Sequence, residues 1–276
     1  LSGKDEHVTE PEATPPVGAS GVLGRAIDLI ELVAAENNGL GVREAARLSG
    51  VDRSAVSRIM SQLEKAGYVE QDQIRKLYFP GPKLFSLAST LVEHDSLWKA
   101  AEPFLNELVQ KFNETCYLSV RVRDELVFRG KVDCNHTIKY VIELGKPFPC
   151  TSGAAGTAIL SGMTEDASNQ ILNKGFAQYT ELSFSSTKEY QEQLRIDRSL
   201  GYSYSPGRWV KGGSGVASPY FNAAGECVGS ITLSCPSDRL AGISITEAGA
   251  AVRDAARGLS RRLGYLGDWA GWSEVA

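Results

Sequence analysis

Residues 41–68 read GVREAARLSGVDRSAVSRIMSQLEKAGY, a pattern of two short helices joined by a tight turn. Val42, Ala45, Ala46 and Leu48 recur at helical spacing and mark the first helix. Gly50 supplies the turn, and Val51 plugs the angle between the helices. Asp52 or Ser54 caps the second helix, whose inner stripe is Val56, Ile59, Met60 and Leu63. The opposite face carries Arg53, Ser54, Ser57, Arg58 and Gln62, side chains suited to phosphates and base edges rather than to a core. Burying one stripe against neighbouring helices while presenting donors outward is how a helix-turn-helix reads the major groove. DNA binding is therefore the first expectation.

Upstream, residues 1–19 are rich in Pro, Glu and small polar residues and are expected to form a disordered tail. A helix capped by Ser20 and running to about Ala35 places Leu23, Ala26, Ile27, Ile30 and Val33 on one apolar face, as the third helix of a small bundle with a possible share in dimer contacts. Arg25 on this helix and Arg43 on the next are expected to add DNA contacts. Downstream, Tyr68-Val69-Glu70 and Tyr78-Phe79 flank a polar turn with Arg75 and Lys76 at its tip. Behind a helix-turn-helix such a hairpin is a wing, and the two bases would sit over a phosphate or a minor groove. A solvated turn accounts for them as well. Gly81-Pro82 closes this unit, read as residues 20–82. The run from Lys83 to Phe112 reads as helical, broken near His94-Asp95-Ser96 and bent at Pro103, with residues 83–98 as a helical linker that transmits orientation.

Residues 99–265 follow a different pattern. CYLSVRV and ELVFRGKV make an antiparallel pair, and TSGAAGTAILSGM makes a small-residue helix. Helices are expected near 164–172 and 188–200, then strands GYSYSP, GVASPYF and CVGSITLSC, and a last helix from about Thr246 to Leu263. Residues 266–276 remain as a C-terminal tail. The order is not a βαβ alternation, so the second domain is expected to be α+β with a mostly antiparallel sheet.

At 276 residues with 42% hydrophobic and 22% charged residues, the chain is long enough for two domains with ordinary cores. No apolar run approaches twenty residues and no secretory pattern is visible, so no membrane contact and a cytoplasmic location are expected. The net charge of −4 is unevenly spread: residues 20–85 carry nine bases and eight acids, the only positive third. So weak a grip on phosphate points to a dimer or higher oligomer. Cys116, Cys134, Cys150, Cys227 and Cys235 contain no CxxC pair, and Cys134 with His136 falls short of a zinc set, so neither metal nor cofactor is expected. Catalysis lacks support: there is no nucleophile elbow, no phosphate-binding Gly-Lys-Ser/Thr loop, and GGSGVAS leads into a strand rather than a helix. Cys150 before a helix start has no evident basic partner. A redox sensor using Cys150, Cys227 or Cys235 is the remaining rival.

The chain resembles the IclR family of bacterial transcriptional regulators over about residues 20–265. The resemblance rests on Gly24-Arg25-Ala26-Ile27-Asp28-Leu29-Ile30, the helix from Ser54 to Gly67, and Tyr78 to Pro82. In the second domain it rests on Leu144-Gly145-Lys146-Pro147, TSGAAGTAIL, Leu200-Gly201-Tyr202, Val216-Ala217-Ser218-Pro219 and Ser234 to Arg239. It implies a winged helix-turn-helix joined to a GAF-like effector domain, assembled as a homodimer or dimer of dimers. It implies repression or activation in response to small organic acids or aromatic metabolites. The effector would lie against the sheet beside Cys150–Gly156, with contacts from positions matching Ser205, Gly215, Thr232 and Ser234. Three departures stand out: Gly156-Thr157-Ala158 replaces the family's Gly-Lys-Ala, and Ser205 and Gly215 replace a frequent acid and a frequent polar or cysteine position. With Phe148, Tyr204 and Trp209 nearby in sequence, these favour a wider pocket for a larger, aromatic carboxylate.

The residues make their own case. Ser152, Gly153 and Ala154 would start a helix whose bare N–H groups and positive end suit a carboxylate. Thr232 and Ser234, two apart on one strand, face the same way. Close helix–sheet packing would explain the same small residues.

Overall fold

The computed structural model describes residues 21–240, 242–269 and 271, so the tail expected at 1–19 and the Ser20 cap lie outside the described residues. The chain divides between Asp95 and Ser96 into two compact units.

In the first unit, α1 (Val22–Ala35) is followed by β1 (Leu40–Gly41), α2 (Val42–Ser49), α3 (Arg53–Lys65), β2 (Val69–Gln71), β3 (Leu77–Pro80) and α4 (Pro82–Glu93). The stripe Val56, Ile59, Met60 and Leu63 of α3 is buried against Leu29, Val33, Leu40, Ala45, Val69 and Tyr78. Gly50 ends α2 at φ +67°, the left-handed geometry that favours glycine and reverses the chain in a short turn. Asp52 caps α3: its carboxylate accepts the N–H of Ser54 and of Ala55. β3 lies between β1 and β2 in an antiparallel sheet, with Leu40 opposite Tyr78 and Val69 opposite Pro80. Gly81 fits where a Cβ would come within 2.4 Å of the Gly67 carbonyl oxygen.

One sequence expectation is corrected. The buried stripe of α1 is centred on Leu29 and Val33, with Ala26 and Ile30 packed beside them, while Leu23 is 75% and Ile27 48% exposed. The helix is apolar on more than one side, so spacing alone could not choose the inward face. Leu48 of α2 is likewise exposed, and only Ala45 of that helix is buried.

The second unit runs α5 (Ser96–Phe112), β4 (Thr115–Val122), β5 (Glu125–Val132), β6 (Pro147–Pro149), α6 (Gly153–Gly162), α7 (Glu165–Leu172), α8 (Thr187–Leu200), β7 (Ser203–Pro206), β8 (Gly213–Phe221), β9 (Cys227–Pro236), α9 (Ser237–Leu240) and α10 (Ile245–Arg262). The break expected near residue 94 separates α4 from α5, and α5 continues through Pro103. The six strands form one antiparallel sheet in the order β6-β5-β4-β9-β8-β7. Strand alternation divides the core in two. Leu118, Val216, Ile231 and Leu233 pack with α5 and α10, while Tyr117, Phe128 and Phe221 pack with α6, α7 and α8. The buried Glu114 carboxylate receives both arms of the Arg239 guanidinium, Nη2 at 2.8 Å, and Arg239 Nη1 also donates to the Ile138 carbonyl. This clamp fixes α9 and the loop after β5 to the start of β4.

Candidate functional site

On α3, Arg53, Ser54, Ser57, Arg58 and Gln62 are all exposed, on the side away from the buried stripe. Spacings of four residues, Arg53 to Ser57, Ser54 to Arg58 and Arg58 to Gln62, gather them on one face. The cap qualifies this set. The Ser54 hydroxyl donates to Asp52 Oδ2 at 2.5 Å, and this bond, with the N–H groups of Ala55 and Ser54, holds the Asp52 carboxyl below its usual range. The start of α3 thus already carries a negative charge and is a poor seat for a phosphate. The Ser54 hydroxyl proton is thus already committed, and Arg53, Ser57, Arg58 and Gln62 are the side chains of this face that the cap does not engage.

The wing turn is built on Asp72. Its Oδ1 accepts the N–H of Ile74 at 2.8 Å and of Arg75 at 3.0 Å, and these backbone bonds depress its pKa, the Arg75 donor most. Arg75 Nε lies 3.4 Å from Asp72 Oδ2, Lys76 Nζ donates to Gln73 Oε1, and Lys76 takes a φ of +58°. Both bases are exposed, and Ile74 between Gln73 and Arg75 is 94% exposed, an apolar tip that sequence reading does not single out. Arg25 and Arg43 are exposed on α1 and α2.

In the second unit, α6 lies across β8, flanked by β9 and β7. Ser205, Gly215 and Ser234 stand side by side on β7, β8 and β9, and Ala217 and Thr232 form the next such pair, with Tyr117 of β4 beyond. Ala154, Ala158 and Ala217 pack together, so small residues let α6 approach the sheet, as packing alone would require. No side chain caps α6, whose first N–H groups therefore lack an internal acceptor. Ser152 is buried and donates instead to the Tyr179 hydroxyl at 3.4 Å. Thr232 is also buried, and its Oγ1 has no hydrogen-bond partner among the described residues. An unpaired buried hydroxyl is costly, on the order of 1–3 kcal/mol.

Beside Thr232 runs a chain of rings. Tyr117 and Phe128 are 5.4 Å apart, Phe128 and Phe148 5.9 Å, and Phe148 and Trp209 5.0 Å, each edge to face. Trp209 also packs over Gly153. Tyr204 does not join them: it packs on the α5–α10 side, because it alternates with Ser203 and Ser205 along β7. Cys150 is buried, and burial pushes its thiol up to about 12, so it is no thiolate. Thr157 donates to the Gly153 carbonyl at 2.7 Å and shares a 3.0 Å bond with the Tyr190 hydroxyl. Sequence reading misses Tyr190, Tyr179 and Arg208, which reach the region from α8 and from loops folded back over it.

Residues 22–73 match the IclR helix-turn-helix domain, and residues 89–261 match the family described as bacterial transcriptional regulator IclR C-terminal. The chain is 26% identical over 255 residues to the transcriptional repressor IclR of Escherichia coli K12, covering 91% of this chain and 93% of that protein. The fold is similar to an IclR-type regulator from Alicyclobacillus acidocaldarius, with a TM-score of 0.78 at 23% identity over 88% of this chain and 98% of that one. It is also similar to an IclR homologue from Microbacterium hydrocarbonoxydans complexed with 4-hydroxybenzoate, with a TM-score of 0.75 at 17% identity over 88% and 99% of the two chains. Both matched segments, in order and together spanning most of the chain, place this protein in the IclR family of bacterial transcriptional regulators.

Proposed function

We propose that this protein is a cytoplasmic, sequence-specific repressor that binds operator DNA through α3 and the β2–β3 wing and is controlled by an organic acid held in its second unit. The observation that carries the DNA reading is the face of α3 that stays in solvent, bearing Arg53, Ser57, Arg58 and Gln62 opposite a fully used apolar stripe. Arg75 and Lys76 add phosphate contacts, and Arg25 and Arg43 extend the basic surface. No catalytic role is assigned to any residue.

The repressor acts as a homodimer or dimer of dimers, because two half-sites multiply a weak single grip. Support comes from the apolar surface left uncovered on α1 and α4: Val22, Leu23 and Ile27 on one, Phe85, Leu87 and Leu91 on the other. We read α4 within residues 83–98 as the linker, residues 20–82 as the DNA-binding domain and 99–265 as the effector domain.

The effector lies against the sheet beside the α6 N-terminus. Support comes from the buried, unpartnered Thr232 hydroxyl, with Ser234 on the same strand face and uncapped N–H groups at Gly153 and Ala154. The rings of Phe148 and Trp209 favour a carboxylate with an aromatic body, and the 4-hydroxybenzoate held by the homologue from Microbacterium hydrocarbonoxydans is of that class. The buried Cys150, Cys227 and Cys235, whose thiols burial raises to about 12, speak against the redox alternative.

Footprinting of purified protein on genomic DNA, repeated with candidate metabolites, tests the whole reading. A shift of roughly 5–150-fold in occupancy is expected with the true effector, the range of a 1–3 kcal/mol coupling. Indifference to every organic acid, aromatic or not, contradicts effector control. Thermal stabilisation by two-carbon acids alone contradicts the wider pocket.

A further inference from the structure

The turn that closes the wing carries Ile74, the most exposed large apolar side chain among the described residues of the first unit. A β-branched residue is out of place at such a tip, where Gly, Asn, Asp and Ser are the usual occupants. Folding does not use it, because the wing is anchored further back by the buried Val69 and Tyr78. The tip is nevertheless held firmly. Beyond the two N–H groups that Asp72 Oδ1 accepts, the Asp72 N–H donates to the Leu77 carbonyl and the Asp72 carbonyl accepts the Lys76 N–H, both at 2.8 Å. Lys76 closes the turn at positive φ, a conformation that side chains other than glycine rarely take. The Gln71 N–H donates to Glu64 Oε1 at 3.3 Å and the Tyr68 N–H to the Leu63 carbonyl at 2.9 Å, so the wing is pinned to the end of α3. Ile74 is thus a projection whose position beside the solvent face of α3 is set before any partner arrives.

The charges around Ile74 indicate the surface it fits. Arg75 and Lys76 follow it, both exposed, and 68% of the Arg75 side chain faces solvent despite Asp72 Oδ2 nearby. Asp72, the one acid of residues 72–76, gives its other oxygen to the turn's own N–H groups. An apolar tip beside two cations matches a cleft with anionic rims and an apolar interior. The minor groove of a duplex is such a cleft, about 6 Å wide, too narrow for a helix but open to a single side chain. We propose that Ile74 is a minor-groove wedge: it enters the groove flanking the segment read by α3, partly unstacks one base step and bends the duplex, while Arg75 and Lys76 meet the phosphates on the rim. The wedge rests on the reading of α3 and the wing as the DNA-binding surface, and adds to it a residue that neither base-edge nor phosphate contact employs. Opening a step costs least at the flexible pyrimidine–purine steps and most within a stiff A-tract. Ile74 therefore selects sequence outside the α3 contact without a hydrogen bond to any base.

The test uses the full-length protein and the duplex it enriches from a random pool, rebuilt with a TA step walked through the flank of each half-site or with an A-tract there. Bending is read from energy transfer between dyes at the duplex ends and affinity from anisotropy, in wild type, Ile74→Leu and Ile74→Ala. Wild type is expected to bend the duplex by roughly 20–90° and to favour a TA step at one flanking position over the A-tract by about fivefold or more. Ile74→Leu keeps the wedge and should keep both effects. Ile74→Ala should lose the bend and the step preference while enriching the same half-site consensus, which belongs to α3. Ile74 contributes nothing to the core, so Ile74→Ala should melt with wild type, and the melt checks that no loss comes from unfolding. A straight duplex under wild type, or the same bend and flank preference in Ile74→Ala, overturns the wedge and leaves DNA reading by α3 standing. Ile74→Ala that weakens every duplex alike at an unchanged bend also overturns it, as does Ile74→Ala that bends DNA normally but loses association between copies in sedimentation. Enrichment of no duplex by wild type overturns the wedge together with the reading it rests on.

Discussion

Arg58 stands near the middle of the exposed face of α3, four residues from both Ser54 and Gln62, and no buried neighbour holds it. If its fork meets a guanine, Arg58→Ala should reduce discrimination at one operator position by about 1–3 kcal/mol, measured by competition with single-base variants. Unchanged preference at every position would remove Arg58 from the code. Arg75 and Lys76 should behave differently. Their replacement by Ala is expected to weaken all sequences alike and to reduce the salt slope by about one for each phosphate no longer neutralised. Asp197, buried on α8, makes a different prediction. Gln193 donates to its Oδ1, but Oδ2 and the Ser203 hydroxyl, close enough to favour the charged form, are left without partners. Burial prevails and raises the carboxyl from its usual 3.8 to about 6. The folded chain therefore holds a proton that the unfolded chain has released between those values. The stability this group contributes is present below about pH 4 and is lost as pH rises to about 6, on the order of 2–3 kcal/mol. Asp197→Asn should flatten the melting temperature across that window, and an unaltered pH profile would count against this origin.

At the scale of elements, legibility tracks how much of an element's environment lies in its own spacing. α3 is readable because its four inner residues have a polar face opposite them, and all four are buried. α1 misleads because Val22, Leu23 and Ile27 offer a second apolar surface that folding of the unit does not cover. β1 and β6, two and three residues long, carry too little alternation to be seen at all. Proximity in sequence groups Tyr204 with Trp209, whereas strand alternation puts it in the other layer. Arg208, Tyr179 and Tyr190 are invisible as a group because they meet only when the segment between α7 and α8 folds back onto β7. The uncovered surface of α1 and α4 has its own consequence. Phe85→Asp with Leu91→Asp should shift the protein toward monomer in sedimentation and weaken operator binding, while the melt of the second unit stays in place. A variant that remains dimeric would show that these helices do not hold the copies together.

For the whole molecule, the proposed function gives the duplex to one unit and the anion to the other, and the chain passes between the two units through α4 and residues 94–95. The division into two units follows from the change of pattern near residue 95: helical periodicity with a short wing before it, long alternating strands after it. Net charge alone argues against nucleic acid, and it misleads because the excess of acids lies chiefly in residues 1–19, with one base and four acids, outside the stretch 20–85 that carries nine bases and eight acids. The account depends above all on the solvent face of α3. Selection of random duplexes by the full-length protein, run beside Arg53→Ala/Arg58→Ala, tests it most directly. Wild type should enrich paired half-sites centred about 10 bp or a multiple of that apart, and the double variant should lose that consensus while keeping its fold. Enrichment of the same sequence by both proteins, or of none by wild type, would contradict the claim that this face reads DNA.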